Sequence, residues 1–279
     1  MNPFGRGLLL LLVCVLAAAC THSGRGAMKP ANLDAIARSG VLRVGTSANM
    51  PPLNMLNRSG LPMGLDVDLA GHMARAMGVE LRMVVRPFSE LLPALEAGEV
   101  DMVISGMTIT PERNMKVAFA GPYHISGKAL LTRFRSLVTT EETSTLNTEA
   151  FAFTALEGST AAHLVEAKMP KARLIPARDY PAAVDLVLSN TVDALVADYH
   201  VCVLSLLRHP DAGLVSLITP FTYEPMGIAM PPGDAQMINW TTNVLNNLRE
   251  SDELIKLKLK WFEDPSWLEE LDWPMDGKR

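Results

Sequence analysis

The sequence has few cysteines, no cluster of basic residues and no metal-ligand spacing among its histidines, and each absence excludes a class of protein. Only three cysteines occur in 279 residues, Cys14, Cys20 and Cys202. If Cys14 is cleaved off and Cys20 is modified, as argued below, no pair remains for an intramolecular disulfide. A net charge of -5 without any Lys/Arg cluster argues against nucleic-acid binding. The six histidines lack zinc-ligand spacing, so we expect neither a metal nor a cofactor.

The N-terminus is typical of a secretion signal and not of the fold. The apolar run from Leu8 to Ala19 is shorter than the roughly 20 residues of a membrane span, so we predict a signal peptide over residues 1–19. The small residues before Cys20 resemble a bacterial lipobox, although Ala17 stands where Leu is usual. We therefore expect an extracytoplasmic or periplasmic protein, anchored to a membrane by lipid on Cys20, with residues 20–30 as a tether. A plain signal peptide with a chance cysteine is the alternative.

The mature chain alternates between strand and helix patterns. The first set is a strand, an amphipathic helix, a strand, a helix and a strand, at 41–45, 64–78, 80–85, 90–97 and 101–109. The same order returns at 150–155, 160–168, 172–175, 180–189 and 194–197. This alternation predicts an α/β protein with two doubly wound lobes, which bind ligands near the C-terminal ends of the strands.

The order of the elements predicts where the two lobes meet. We assign residues 31–126 and 225–279 to lobe 1, and residues 127–224 to lobe 2. The crossovers lie at Ser126–Lys128 and Glu224–Gly227, where changes in backbone angle could be absorbed during closure. A helical pattern from Met237 to Phe262 returns the chain to lobe 1.

Four short segments carry a resemblance to a known family: Gly40–Gly45, Gly64–Leu69, Ser105–Arg113 and Lys260–Phe262. In this order and spacing they resemble the family 3 extracellular solute-binding proteins, which serve ABC importers of polar amino acids. The resemblance runs from about Asn32 to Phe262 and implies a periplasmic-binding-protein type II fold. It also implies capture of an amino acid or similar zwitterion by lobe closure, and delivery to an ABC permease in the inner membrane. We expect a monomer.

The segment from Ser105 to Arg113 has the chemistry of a carboxylate site. Gly106 leaves the backbone bare, so its amide could approach a ligand, and Thr108 adds a hydroxyl group. The planar guanidinium of Arg113 can bond both oxygens of a carboxylate. The resemblance implies that these three residues hold the α-carboxylate of the ligand. The alternative is that Arg113 pairs with an acid of the chain, namely Glu112, Asp66 or Asp68.

The second lobe supplies candidates for both ends of the ligand. Ser159 and Thr160 begin a helix, whose N-terminal amides attract anions. Asp198 ends an apolar strand, and a buried ammonium group needs such an acid as its partner. The resemblance implies that Ser159 and Thr160 bind the carboxylate and that Asp198 binds the α-ammonium group. Helix capping by Ser159 or Asp198 is the structural alternative. With Arg113 on the opposite lobe, a bound zwitterion would favour closure.

The part of the pocket that selects the ligand's side chain departs from the family pattern. Phe88 matches one aromatic wall, but Met50 stands where many relatives have the other, and Ser47 stands where some carry an acid. Losing one wall weakens cation–π binding of Lys or Arg ligands, while Met is soft and adaptable. We therefore predict a neutral polar or apolar amino acid. Packing between elements is the alternative role for Met50.

Several remaining residues have structural interpretations. Asp66 and Asp68 begin a helix, where negative charge is favourable, and Cys202 lies in an apolar run as a buried thiol. The tail from Trp267 to Trp273 extends past the usual end of the family, and packing or surface exposure is the simplest role for it.

Two other functions fit the same fold. A dehydratase acting on cyclohexadienyl acids would need a general acid in the cleft, and the candidates are Asp198, Glu157 and His124. A ligand-sensing subunit would need a separate membrane partner for signalling. No residue pattern demands catalysis, so we predict a binding protein and not an enzyme.

Overall fold

The computed structural model describes residues 33–138, 143–217 and 219–271. Four predicted features lie outside the described residues: the signal peptide, the tether with Cys20, Asn32 at the start of the resemblance, and Trp273 at the end of the tail.

The strands and helices alternate along the chain much as predicted. The strands are β1 (Val41–Thr46), β2 (Asn49–Met50), β3 (Asn54–Leu56), β4 (Pro62–Met63), β5 (Glu80–Val85), β6 (Met102–Val103), β7 (Ala118–Ser126), β8 (Lys128–Thr132), β9 (Ala152–Leu156), β10 (Arg173–Ala177), β11 (Ala194–Asp198), β12 (Val215–Ser216) and β13 (Glu224–Met230). The α-helices are α1 (Leu33–Ser39), α2 (Leu65–Met77), α3 (Leu91–Glu96), α4 (Pro111–Asn114), α5 (Arg135–Val138), α6 (Thr160–Lys168), α7 (Tyr180–Leu188), α8 (Tyr199–Arg208), α9 (Ala235–Glu250) and α10 (Glu253–Phe262). Short 3₁₀ segments lie at Phe88–Glu90, Thr143–Leu146 and Pro265–Glu270.

Two five-stranded sheets form the cores of the two lobes. The first sheet has the order β5-β1-β6-β13-β7 and the second has the order β10-β9-β11-β8-β12. In the first, β1 is parallel to β5 and β6, whereas β13 is antiparallel to β6 and β7. In the second, β9 is parallel to β10 and β11, whereas β8 is antiparallel to β11 and β12. The predicted two-lobed α/β class is confirmed, with sheets that are mixed because strands next to the crossovers run antiparallel.

The chain passes between the sheets at two adjacent places. Strand β7 of the first sheet is followed by Gly127 and then by β8 of the second sheet. The chain returns through Thr222 to β13, and Glu224 pairs with Ser126 across the two connections. An added side-chain carbon on Gly127 would collide with the carbonyl oxygen of Thr222. The crossovers therefore lie side by side in backbone contact.

Helix α2 shows how local sequence fixes the first lobe. Leu65, Leu69 and Met73 recur at helical spacing, and all three are fully buried. Gly78 ends the helix in the left-handed conformation, with φ of 69°. The helix packs its apolar face on the sheet, and its opposite face is more exposed.

The structure corrects three sequence-based boundaries. The predicted strand at 101–109 is regular only over Met102–Val103, because the chain turns into a loop at Gly106, where φ is 59°. The helical pattern from 237 to 262 is two helices, separated at Asp252 with φ of 60°. The predicted helix at 90–97 is regular only over Leu91–Glu96, and it follows a 3₁₀ turn at Phe88–Glu90.

The residues with predicted structural roles pack as expected. Cys202 is fully buried, and burial raises the pKa of its thiol to about 12. Asp68 accepts hydrogen bonds from Lys260 and from the indole of Trp261, at 2.7 and 2.8 Å. Trp267 is buried against Trp261, with 5.9 Å between ring centroids. The described part of the C-terminal tail thus packs on lobe 1.

Candidate functional site

Arg113 lies where the two lobes meet. Thr110 caps α4 by accepting the amide of Arg113, and this cap fixes the start of the helix. Arg113 Nη1 donates to the carbonyl of Thr108 at 2.8 Å, and Nη2 donates to the carbonyl of Gly158 at 3.0 Å. Its guanidinium also lies 5.7 Å from the ring centroid of Phe88. One side chain therefore bonds backbone from both lobes.

The charge of Arg113 is not neutralised by a direct ion pair. Within the described residues no carboxylate bonds its guanidinium, so the predicted alternative of pairing with Glu112, Asp66 or Asp68 is not observed. Burial lowers the pKa of Arg113 to about 10, although the charges of Glu224 and Asp198 act in the opposite direction. The group stays cationic at neutral pH, and three of its five donors remain for an anion.

Thr108 and Thr160 meet at a carboxylate that the sequence analysis did not place in the site. Their hydroxyls both donate to Glu224 Oε2, each at 2.8 Å. Thr222 donates to the other oxygen of Glu224 at 2.9 Å. Because Thr108 belongs to lobe 1 and Thr160 to lobe 2, the buried carboxylate of Glu224 joins the lobes at the crossover.

Asp198 ends β11 and is paired within the protein. Lys128 Nζ lies 2.8 Å from Asp198 Oδ2 and 3.5 Å from Glu224 Oε2. The side chains of Lys128 and Asp198 are only 2% and 1% exposed. Asp198 Oδ1 is buried and has no hydrogen-bond partner in the described chain, and it does not cap α8.

The electrostatics keep Asp198 ionised. Burial acts to raise the pKa of this carboxyl, but the positive charge of Lys128 and its hydrogen bond outweigh burial. The pKa of Asp198 is therefore below its usual value. Lys128 and Glu224 are the two site residues that the sequence analysis missed. The sequence analysis assigned both residues to the crossovers. A charged residue next to a predicted hinge was the one feature that could have indicated a place in the site.

Gly106 approaches protein groups in this structure. Its amide donates to Tyr123 Oη at 3.1 Å, so the amide expected to face a ligand is already bonded. Its bare face is filled by Met50, because an added side-chain carbon on Gly106 would collide with the Met50 sulfur. Met50 is buried in a hydrophobic core that includes residues of both lobes, as the packing alternative for this residue requires.

Ser47 and the acid behind it form a buried polar network. Ser47 Oγ donates to Asn54 Oδ1 at 3.0 Å, and Asn54 Nδ2 donates to Asp66 Oδ2 at 2.7 Å. Tyr123 Oη donates to Asp66 Oδ1 at 2.7 Å. Burial raises the pKa of Asp66 to about 7, against the lowering effect of these hydrogen bonds. Asp66 therefore has a structural environment, as predicted, and Ser47 is held by its neighbours.

Ser159 has the capping role that was weighed against ligand contact. Its hydroxyl accepts the amide of Ala162 at the start of α6, at 3.2 Å. The turn before it brings Gly158 against Ser89 of lobe 1, and the carbonyl of Gly158 receives Arg113. The structure thus brings Phe88, Thr108, Arg113, Thr160 and Asp198 to one region between the lobes. Ser47, Met50 and Gly106 lie beside it, bonded or packed within lobe 1.

A concave region borders the crossover at Ser126 and Gly127. Its volume is about 650 Å³, and its walls include His124, His200, Phe262 and Trp267. His124 stacks on Phe262, with 4.7 Å between ring centroids. Burial lowers the pKa of His124 to about 3 and that of His200 to about 4, so both rings are neutral at pH 7.

No described helix has the length and apolar character needed to cross a membrane. Among the same residues, no group of three or more His, Cys, Asp or Glu side chains is placed to hold a metal ion.

Comparison with known proteins identifies the family. The profile of the bacterial extracellular solute-binding proteins, family 3, matches residues 42–264. The chain belongs to this family. It is 28% identical over 248 residues to a probable histidine-binding protein of Neisseria gonorrhoeae, covering 88% of this chain and 90% of that protein. It is 26% identical over 273 residues to an ABC transporter glutamine-binding protein of Bacillus subtilis, covering 94% and 98%.

Solved structures agree with the family assignment. A mutant of ArgBP from T. maritima superposes on this family 3 protein with a TM-score of 0.77 and 31% identity, covering 83% of this chain and 99% of that chain. The periplasmic-binding-protein type II fold, the extracytoplasmic class and the predicted function as an amino-acid-binding component of an ABC transporter are confirmed. Most of the relatives are named as binding proteins, but a cyclohexadienyl dehydratase of Pseudomonas aeruginosa is also 26% identical over 212 residues, 73% of this chain and 76% of that protein.

Proposed function

We propose that this family 3 protein captures a small carboxylate-bearing solute of the amino-acid class between its lobes and delivers it to a membrane permease. The observation that carries this proposal is Arg113, which bonds the carbonyls of Thr108 and Gly158 from opposite lobes. A guanidinium in that position, with donors to spare, would receive a ligand carboxylate and tighten the closed form. Thr108 and Thr160 lie within the same network and would add hydroxyl groups.

The remaining predicted site residues have separate roles in the proposal. Phe88 would form a wall beside Arg113, and Asp198 would act from lobe 2, where it pairs with Lys128. Ser159 orders the turn that carries Gly158, and Gly106 with Met50 and Ser47 shapes the lobe 1 wall behind it. We assign the lobe boundaries to residues 126–127 and 224–225, which lie beside Lys128 and Glu224.

A neutral ligand side chain fits the charges of the cleft. The nearby acids Asp198 and Glu224 share Lys128, and Asp66 is bonded by Asn54 and Tyr123. A cationic side chain would therefore find each of these three carboxylates already bonded within the protein.

A thermal-shift screen tests the proposed function. Purified mature protein is heated with each of the common L-amino acids, because a ligand that binds only the folded form raises the melting temperature. We expect neutral amino acids to give the largest shifts, followed by micromolar dissociation constants, about -8 kcal/mol, in calorimetry. If no amino acid or related carboxylate shifts the melting temperature, the proposed function is wrong.

Membrane attachment through Cys20 is part of the proposal. The lipobox-like sequence before Cys20 supports acylation at that position. Replacing Cys20→Ser should move the protein from the membrane fraction to the soluble fraction, while residues 21–279 keep the same ligand binding. Retention of the Cys20→Ser variant in the membrane fraction would contradict lipid anchoring.

Binding without catalysis is also part of the proposal, although one relative is a dehydratase. A general acid must hold a proton near neutral pH. Lys128 holds the pKa of Asp198 below its usual value, and burial lowers that of His124 to about 3, so neither group carries a transferable proton at pH 7. Incubation with arogenate and prephenate should give no aromatic product, and product formation at enzyme-dependent rates would establish the dehydratase alternative.

A further inference from the structure

The ammonium-binding position of the cleft is filled by a side chain of the protein itself. Lys128 Nζ donates to Asp198 Oδ2 at 2.8 Å and lies 3.5 Å from Glu224 Oε2. Both partners are almost completely buried, and the lysine is held from β8 directly after the hinge glycine. The primary ammonium of a lysine is chemically the same donor group as the α-ammonium of an amino acid.

The pairing changes what Asp198 requires from a ligand. A buried carboxylate without a partner would need a ligand cation, because an isolated buried charge is costly. Here Lys128 supplies that cation from within the protein. Lys128 occupies Asp198 Oδ2, so a ligand ammonium that bonded the unpartnered Oδ1 would lie next to the like charge of Lys128. The electrostatic gain from an α-ammonium group is therefore reduced.

Arg113, in contrast, still lacks an anionic partner within the described residues. Arg113 bonds only carbonyl oxygens, and its charge is not directly paired within the described chain. A ligand carboxylate therefore retains its partner whether or not the ligand carries an amino group. This asymmetry is caused by Lys128, because it neutralises Asp198 and leaves Arg113 as the charge that a ligand must pair.

We propose that Lys128 is a specificity-determining residue that relaxes recognition of the α-amino group, so that the cleft also accepts 2-hydroxy acids with the side chain of its amino-acid ligand. This proposal rests on the proposed function, because it assumes that a carboxylate is bound at Arg113. The ligand class is thus defined by the carboxylate and the side chain, with an amino or a hydroxyl group tolerated at the second carbon.

Matched ligand pairs test the proposal on the wild-type protein. Calorimetry compares an L-amino acid with the L-2-hydroxy acid of the same side chain, such as alanine with lactate, leucine with 2-hydroxyisocaproate, and phenylalanine with phenyllactate. A site that depends on hydrogen bonds from the amino group would reject the analogue by about 10⁴-fold. We expect the two affinities of the best-binding pair to agree within about tenfold. Rejection of the hydroxy acid by more than about 1,000-fold would overturn the proposal.

A variant of Lys128 assigns the effect to this residue. Replacing Lys128→Gln removes the internal cation but keeps a hydrogen-bond donor, so Asp198 becomes available to a ligand ammonium. The preference for the amino acid over the hydroxy acid should then rise at least about tenfold. Lys256→Gln is the matched control, because Lys256 is exposed and pairs with Glu253 within the same helix. The control should leave the preference unchanged.

The outcomes separate this proposal from the function on which it rests. If hydroxy acids are rejected, or if Lys128→Gln folds but leaves the preference unchanged, the role of Lys128 is wrong while amino-acid capture stands. If neither series binds, the proposed function is wrong, and the proposal fails with it. If Lys128→Gln does not fold, Lys128→Met replaces it in the test of this residue. The ratio of amino-acid to hydroxy-acid affinity in the wild-type protein then still tests the proposal, because it needs no variant.

Discussion

The two lobes present opposite kinds of charge, and they differ in how far each charge is satisfied before any ligand arrives. On lobe 1, Arg113 is cationic, and within the described part of the chain its guanidinium bonds carbonyl oxygens alone. On lobe 2, Asp198 is anionic and has its own buried lysine. The lobe 1 half of the site is therefore open to a partner, whereas the lobe 2 half is largely closed. Residue type alone does not show which of two charged groups a ligand must neutralise.

The largest effect is expected from breaking the buried Lys128–Asp198 pair of lobe 2. Asp198→Asn removes one partner of the buried pair and should lower the free energy of unfolding by about 3–5 kcal/mol, because Lys128 stays buried with only its longer contact to Glu224. Urea denaturation measures the loss. Asp68→Asn is the control on lobe 1, where the acid bonds the exposed Lys260. Equal losses for the two variants would contradict the buried-pair account.

The next largest effect is expected from removing the Arg113 guanidinium on lobe 1. Arg113→Ala should weaken binding of the carboxylate ligand at least about 100-fold, or about 2.7 kcal/mol, while the melting temperature changes little without ligand. Arg113→Lys should fall between, because an ammonium group lacks the planar fork. Calorimetry measures the affinities, with Arg86→Ala as an exposed control that pairs only with Glu99. Near-wild-type affinity of Arg113→Ala would remove the carboxylate assignment.

A pH effect sharpens the comparison at the crossovers, where His124 of lobe 1 meets His200 of lobe 2 edge to face. Burial lowers the pKa of His124 to about 3, and the titratable groups around it are His200, Lys258 and Asp198. The folded protein binds fewer protons than the unfolded chain below about pH 6.5, so stability from this group falls as the pH falls. Between pH 7 and pH 5 the loss is about 2 kcal/mol.

His124→Phe should remove this loss and keep the stacking on Phe262. Comparing the variant with wild type by denaturation at each pH cancels the contribution of Asp66. The Asp66 pKa of about 7 lies above its unfolded value, so that contribution rises as the pH falls from about 7 to 4. Parallel pH profiles for wild type and His124→Phe would contradict the assignment.

The smallest effect concerns the contact that joins the lobes. Thr160→Val removes one hydroxyl from Glu224 and should destabilise the protein by about 1.5 kcal/mol, as expected for a hydrogen bond to a charged group. Thermal unfolding measures the change. Thr191→Val is the control, since among the described residues that hydroxyl bonds the exposed Ser189 side chain and no other group. A change no larger than that of the control would mean that the contact does not hold the lobes together.

Much of the fold could be predicted because it depends on local pattern. Helices α2 and α6 have the apolar spacing and end signals that the sequence displays, and the Thr110 cap with Pro111 is equally local. The strand after Asp101 was predicted to be too long. The apolar run continues into a buried loop, and the hydrophobic pattern of the sequence does not distinguish such a loop from a buried strand.

The site was predictable one residue at a time but not as a network. Arg113 and Asp198 could be found from their positions at the ends of local elements. The contact of Lys128 with Asp198 joins residues 70 positions apart, and that of Thr108 with Glu224 joins residues 116 positions apart. Such pairings are set by how β8, β11 and β13 are ordered in the two sheets, which local spacing does not encode.

The contact between Gly127 and Thr222 also has a mechanical consequence. Two chain segments in direct backbone contact form a two-stranded ribbon between the lobes. A ribbon of this kind bends across its width more easily than it twists or shears. We therefore expect the lobes to open as a hinge, so that closure would return Arg113 to the carbonyl of Gly158.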